Sequence, residues 1–179
     1  MRMTLRVAVA VALLVLVARP AGGQSRQYFS VQGSGAWILP AEEPAGFESD
    51  VRLGYDVQIR YTPSRFSVGI GYQRSTILTS SDLDVSAALE VLFIEPRYVL
   101  WAGGAAALYV AGRGGAGRYA CDPDRCSDAR SAVAGGGLGV LFKLGGPFAL
   151  DLGGQYFAVF EENVRSDYFT VRLGLGVGL

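Results

Sequence analysis

Residues 50–61 read Asp-Val-Arg-Leu-Gly-Tyr-Asp-Val-Gln-Ile-Arg-Tyr. Apolar Val51, Leu53, Tyr55, Val57, Ile59 and Tyr61 alternate with Asp50, Arg52, Gly54, Asp56, Gln58 and Arg60. A strand turns successive side chains to opposite faces, so such a run makes a two-faced strand; a helix would scatter the same groups around its circumference. The pattern recurs at 65–75, 148–157 and 168–179, and in weaker form at 28–39, 105–119 and 131–144. Residues 85–99 are least regular: Val91 to Ile94 is a solid apolar run, after which Glu95 and Arg97 are expected on the polar face with Pro96 and Tyr98 opposite. A bulge there would shift that register. The count is eight strands, and no stretch of helical period follows residue 23.

The connections alternate in length. Short turns are expected at Thr62-Pro63-Ser64, near Trp101 to Gly104, and at Gly145-Gly146-Pro147. Turn-forming residues dominate all three. Longer polar loops fall at 40–48, 76–84, 120–130 and 160–167. That is an up-and-down meander with one tight rim and one decorated rim.

Before the first strand stands a different kind of segment. Arg2 and Arg6 precede an unbroken apolar run from Val7 to Ala18, and Arg19-Pro20 then leads into Ala21-Gly22-Gly23. This is the layout of a secretory signal peptide. As a helix the run would cover about 18 Å, short of a hydrocarbon core of about 30 Å. Residues 1–23 are therefore read as a cleaved signal peptide and 24–179 as one domain. The exported chain keeps 13 of the 16 basic residues and all 16 acidic ones, a net charge of −3.

Alternation alone fits two opposite objects. A soluble lipocalin-like barrel turns its apolar face inward, and a membrane barrel turns it outward. Size decides between them. The apolar face carries Tyr, Phe, Val, Ile and Leu, whereas the polar face is largely glycine and serine with a few long charged residues. An eight-stranded barrel has room inside only for packed side chains. Gly69, Gly71, Gly153, Gly174, Gly176 and Gly178 suit a crowded lumen, and a glycine row facing water would weaken its strands without gain. Tyr61, Phe66 and Phe148 flank short turns, where an aromatic girdle meets the membrane interface. The fold class is thus all-β: an eight-stranded antiparallel up-and-down transmembrane β-barrel.

The polar face then becomes a lumen. Its charges are Asp50, Arg52, Asp56, Arg60, Arg65, Glu95, Arg97, Arg113, Lys143, Asp151 and Arg172. Unpaired buried charge is costly, so these residues are expected to interlock as a salt-bridged plug. The sharper alternative is a narrow pore, anion-preferring because basic residues outnumber acidic ones in this set. Cys121 and Cys126 bracket Asp-Pro-Asp-Arg, and in an exported chain they imply a disulfide stapling a loop. The loop acids Asp82, Asp84, Asp122, Asp124, Asp128, Glu161 and Glu162 read as solvated loop tips, with Ca²⁺ binding as the alternative.

Several functions are disfavoured by composition. The chain has no histidine, which removes Ser-His-Asp and Cys-His catalysis and the commonest zinc ligand. Zero net charge over the full chain argues against a nucleic-acid partner. No cofactor or catalytic residue is expected. Gly112 to Arg118 superficially suggests a phosphate loop but lies on a strand with no helix after it.

The signal segment, the alternating strands over 27–179 and the last strand together resemble the small eight-stranded outer-membrane β-barrel family, the OmpA-barrel and OmpX-like proteins. The resemblance implies residence in the bacterial outer membrane, surrounded by its lipid, after insertion by the barrel-assembly machinery, and a monomer. It also implies a C-terminal sorting signal, whose places are filled by Arg172, Gly174, Val177 and Leu179. Leu179 departs from the phenylalanine with which that family usually ends. Known enzymes on such barrels lean on histidine, so the implied role is structural or surface interaction without turnover. A narrow channel and a soluble lipocalin-like binder stand as alternatives.

Overall fold

A computed structural model describes residues 28–40, 52–80, 85–122, 130–160 and 165–179. They form eight strands: β1 (Phe29–Pro40), β2 (Arg52–Tyr61), β3 (Phe66–Ser80), β4 (Val85–Gly103), β5 (Ala106–Asp122), β6 (Arg130–Gly145), β7 (Phe148–Phe160) and β8 (Arg165–Gly178). Each pairs antiparallel with the next, and β8 pairs with β1, so the sheet is a closed barrel in chain order. Closure satisfies every edge, which a sheet in hydrocarbon requires. Strands of 10 to 19 residues meet or exceed the roughly nine to eleven needed to cross a bilayer.

The expected strands are all present, with a correction to their length. Residues 40, 76–80, 120–122, 130, 160 and 165–167, read as loop, belong to β1, β3, β5, β6, β7 and β8, and β4 continues through Trp101 to Gly103. Polar and small residues such as Thr79 and Ser80 look like loop, yet they continue the ladder with Ser86 and Val85. The tight turns fall where expected. Gly104, Gly145 and Gly146 take positive φ angles of 54°, 108° and 56°, a conformation that favours glycine. Register shifts occur at Thr76/Leu78, Val99/Trp101 and Lys143/Gly145. None falls between Val91 and Arg97, so Glu95 and Arg97 keep the face assigned to them.

The outer wall is largely apolar, and the buried charged residues lie in the bore. Leu53, Ile59, Ile70 and Leu92 are 60–67% exposed on the outer wall, while Arg52, Asp56, Gln58 and Arg60 of β2 are buried in the bore. In water such a wall would be a large unpartnered apolar patch; in a bilayer it is a belt facing lipid. Tyr28, Phe29 and Tyr61 cluster at the tight rim, with ring centroids 6.2 Å (Tyr28–Tyr61) and 5.0 Å (Phe29–Tyr61) apart. Phe66, Tyr98, Trp101 and Phe148 continue the girdle there. Trp37, Tyr55, Tyr156, Phe160 and Phe169 are exposed on the outer wall nearer the long connections.

Candidate functional site

The bore contains two layers, both legible along β4. Starting from its long-loop end, Leu89, Val91 and Phe93 point inward, and then Glu95 and Arg97 do. The first three join Val133, Phe157 and Val159 in a buried apolar cluster, with Tyr119 and Tyr168 packed against it. This corrects the expectation that bulky groups all face lipid. The run 91–94 is solid because both faces of β4 are apolar there: Val91 and Phe93 fill the bore while Leu92 and Ile94 meet the outside.

The second layer is ionic and is centred on Glu95, which is fully buried. Its Oε1 accepts from Arg60 Nη2 and Arg97 Nε, each at 2.7 Å. Its Oε2 accepts from Arg113 Nε at 2.7 Å, Gln155 Nε2 at 3.0 Å and Arg172 Nη1 at 3.2 Å. Arg113 Nη2 donates to the same oxygen. One carboxylate from β4 thus ties together β2, β5, β7 and β8, with a fourth arginine, Arg97, from its own strand. Charge-assisted bonds of this kind are the strong ones, and the guanidinium fork suits them.

Two further carboxylates complete the layer. Asp151 Oδ1 accepts from the Tyr109 hydroxyl at 2.6 Å, and its Oδ2 accepts from Gln32 Nε2. Arg97 Nη2 lies 2.9 Å from Asp151 Oδ2, a charge contact too poorly aligned to be a hydrogen bond. Asp56 Oδ2 sits 3.4 Å from both Arg113 Nη2 and Arg172 Nη1. Neutral amides and hydroxyls occupy some of the remaining donors: Arg113 Nη1 reaches Gln73 Oε1 at 2.6 Å, and Arg60 reaches Gln58 at 2.7 Å and Ser67 at 3.1 Å.

Arg113 joins the layers. Its guanidinium stacks over the Phe93 ring at 3.8 Å and lies 5.4 Å from that of Phe157, while its edge binds Glu95. A delocalised cation on an aromatic face is favourable, most of all where water is excluded. Above it lies a cavity of about 20 Å³, lined by Ile38, Ser75, Val133 and Tyr168 among others, with room for about one water molecule.

Glycine makes this crowding sterically feasible. A Cβ on Gly71 would lie 2.6 Å from the Phe93 ring and 2.5 Å from the Val57 carbonyl. One on Gly69 would lie 2.8 Å from Arg60 Nη2.

Of the expected lumen charges, Asp56, Arg60, Glu95, Arg97, Arg113, Asp151 and Arg172 are brought together. Arg52 is buried in the bore at the long-loop end of β2, outside the cluster around Glu95. Arg65 and Lys143 are corrections. Both have the inward parity, but Arg65 lies in the turn before β3 and Lys143 near the end of β6, so both are exposed at the tight rim. Asp50, the signal segment 1–23 and the loop acids Asp82, Asp84, Asp124, Asp128, Glu161 and Glu162 lie outside the described residues. So does the Cys121–Cys126 pairing, because only the backbone of Cys121, on β5, is described. In the proposed sorting segment, Arg172 is in the ionic layer, Gly174 faces Ser34 in the bore, and Val177 and Leu179 lie at the tight rim.

Arginines outnumber carboxylates in the bore. Buried charges comprise Arg52, Arg60, Arg97, Arg113 and Arg172 against Asp56, Glu95 and Asp151. Among the described residues, Arg60 Nε, both Arg97 Nη atoms and Arg172 Nε are buried without a hydrogen-bond partner, as are Asp56 Oδ1 and Gln58 Nε2. Tyr109 was missed in the sequence because Leu108 and Val110 flank it; counting back by twos from Arg113 identifies its face.

The barrel matches solved structures far better than it matches sequences. It is similar to Neisserial surface protein A, with TM-score 0.69 and 17% identity, over 84% of this chain and 97% of that one. It is similar to Ail, the attachment invasion locus protein of Yersinia pestis, with TM-score 0.57 and 16% identity over 84% and 97%. The outer membrane protein OprG of Pseudomonas aeruginosa gives TM-score 0.56 and 14% identity over 84% and 95%. No protein-family profile and no curated protein sequence matches the chain.

Proposed function

We propose that the chain, a closed eight-stranded barrel with the fold of solved outer-membrane barrels, is a non-enzymatic, side-chain-filled outer-membrane barrel with a structural or surface-interaction role. The carrying observation is the convergence of Arg60, Arg97, Arg113 and Arg172 on Glu95. These groups come from β2, β4, β5 and β8, so the bonds cross the bore rather than line it. A solute would have to break several charge-assisted bonds at once. The apolar cluster above them adds a second obstruction that offers an ion no ligands.

Surface interaction is assigned to the connections at the long-loop rim, which in such barrels face the cell exterior. The name of Ail, a protein of the same fold, refers to attachment and invasion, a role that suits loops carried on a sealed barrel. The protein acts as a monomer in outer-membrane lipid, delivered there by the barrel-assembly machinery.

The second reading is a narrow anion-preferring channel, favoured by the arginine excess in the bore. Reconstitution into planar bilayers separates the two. The sealed barrel gives no conductance steps above those of protein-free bilayers. Reproducible unitary steps with anion selectivity would overturn it in favour of the channel.

A further inference from the structure

A second ionic cluster sits on the outer face of the same wall. Arg74 of β3, Glu90 of β4, Arg118 of β5 and Arg130 of β6 are direct cross-strand partners, forming one continuous line over four strands. All four have the outward parity. Arg74 and Arg118 are 47% and 67% exposed, and Arg130 is exposed as well. Glu90 holds two of the cations side by side: Arg74 Nη1 lies 3.2 Å from Oε1, and Arg118 Nη2 lies 2.8 Å from Oε2. Three arginines and one carboxylate leave this line at +2.

The next outward line toward the membrane centre is Tyr72, Leu92, Ala116 and Ala132, and the one beyond is Ile70, Ile94, Gly114 and Ala134. The apolar belt therefore begins one step below the arginines. The wall is also uneven there. Tyr72 and Leu92 stand beside Ala116 and Gly117, leaving a groove of about 470 Å³ whose upper edge is Glu90, Arg118 and Arg130. The groove joins an apolar floor to a cationic lip.

We propose that this groove seats a phosphate-bearing membrane lipid in the leaflet on the long-loop side: an acyl chain lies against Leu92 and Ala116, and the phosphate meets Arg118 and Arg130. Guanidinium forks bind phosphate oxygens two at a time, and basic groups near a bilayer surface favour anionic headgroups. Arg118 and Arg130 stand directly opposite each other in the sheet, so both side chains border the same stretch of the groove. The apolar floor commits the site to a lipid rather than a free anion. This inference rests on the bilayer placement and is independent of whether the bore conducts.

The test titrates the protein, refolded in detergent micelles, with dioleoyl phosphatidic acid and separately with diolein, which has the same tails and no phosphate. Native mass spectrometry counts retained lipid. One phosphatidic acid is expected to be retained about tenfold more tightly than diolein. Arg118→Gln/Arg130→Gln is expected to remove most of that preference while keeping heat-modifiable gel mobility, the sign of an intact barrel. Arg65→Gln/Lys143→Gln removes the same charge from the opposite rim and is expected to leave the preference intact. Equal retention of the two lipids would overturn the proposal. So would an equal loss in the Arg65/Lys143 variant, which would mean net charge alone, or full competition by millimolar inorganic phosphate, which would mean a soluble-anion site.

Discussion

Glu90 and Glu95 stand five positions apart on β4 and do the same chemistry in opposite settings. Each carboxylate gathers arginines, Glu90 from the two strands beside it and Glu95 largely from across the bore. Glu95 points into the bore, is fully buried and binds four guanidiniums. Glu90 points outward, is 11% exposed and binds two whose heads remain largely exposed. An odd separation along a strand reverses the face, so one residue type serves as keystone inside and surface clasp outside. The difference shows that energetic weight follows what surrounds a charge pair more than how many partners it has. Removing a buried partner strands the remaining charges without water, whereas an exposed pair is replaced by hydration.

The same substitution at both positions is the sharpest way to break this comparison. Glu95→Gln is expected to cost about 3–5 kcal/mol, read from urea unfolding in lipid vesicles, because four arginines lose their common anion. A cost no larger than that at Glu90 would mean water reaches the layer. Val57→Arg, on the outer face of β2, is expected to cost about 2–4 kcal/mol in the same titration; a neutral result would reverse the assignment of faces. Phe93→Leu is smaller, about 1–2 kcal/mol, since it trades the ring under Arg113 for a side chain of similar bulk. Glu90→Gln comes last, at or below about 1 kcal/mol, and raising ionic strength should shrink that value while leaving the Glu95 value nearly unchanged.

Much of this architecture was legible in the sequence because period two is a strong signal when the two faces differ in size. Asp56, Arg60, Asp151 and Arg172 could be placed inside from parity alone. Parity gives the face of a residue but not its depth along the strand. Arg65 and Lys143 share the inward parity of Arg60 and Arg113, yet they sit where the bore opens, and water replaces the network for them. The apolar layer was hidden for a different reason. At Val91 to Ile94 both faces are greasy, so periodicity vanishes, and nothing local distinguishes Phe93 in the bore from Leu92 against lipid. Which arginines share Glu95 depends on the stagger between strands far apart in sequence, set by turn lengths and bulges rather than by any local pattern.

The pairing of β1 with β8 has a consequence for how the barrel forms. The Phe29 carbonyl accepts from the amide of Leu179 at 2.8 Å, and Pro40 stands opposite Tyr168 at the other end of the same seam. The earliest strand to be made cannot find one of its two neighbours until the latest is available. An unsealed cylinder in hydrocarbon would leave two full rows of amides and carbonyls dry. Stitching that seam and entering the bilayer are therefore one coupled event, and loss of β8 should yield no stable seven-stranded remnant.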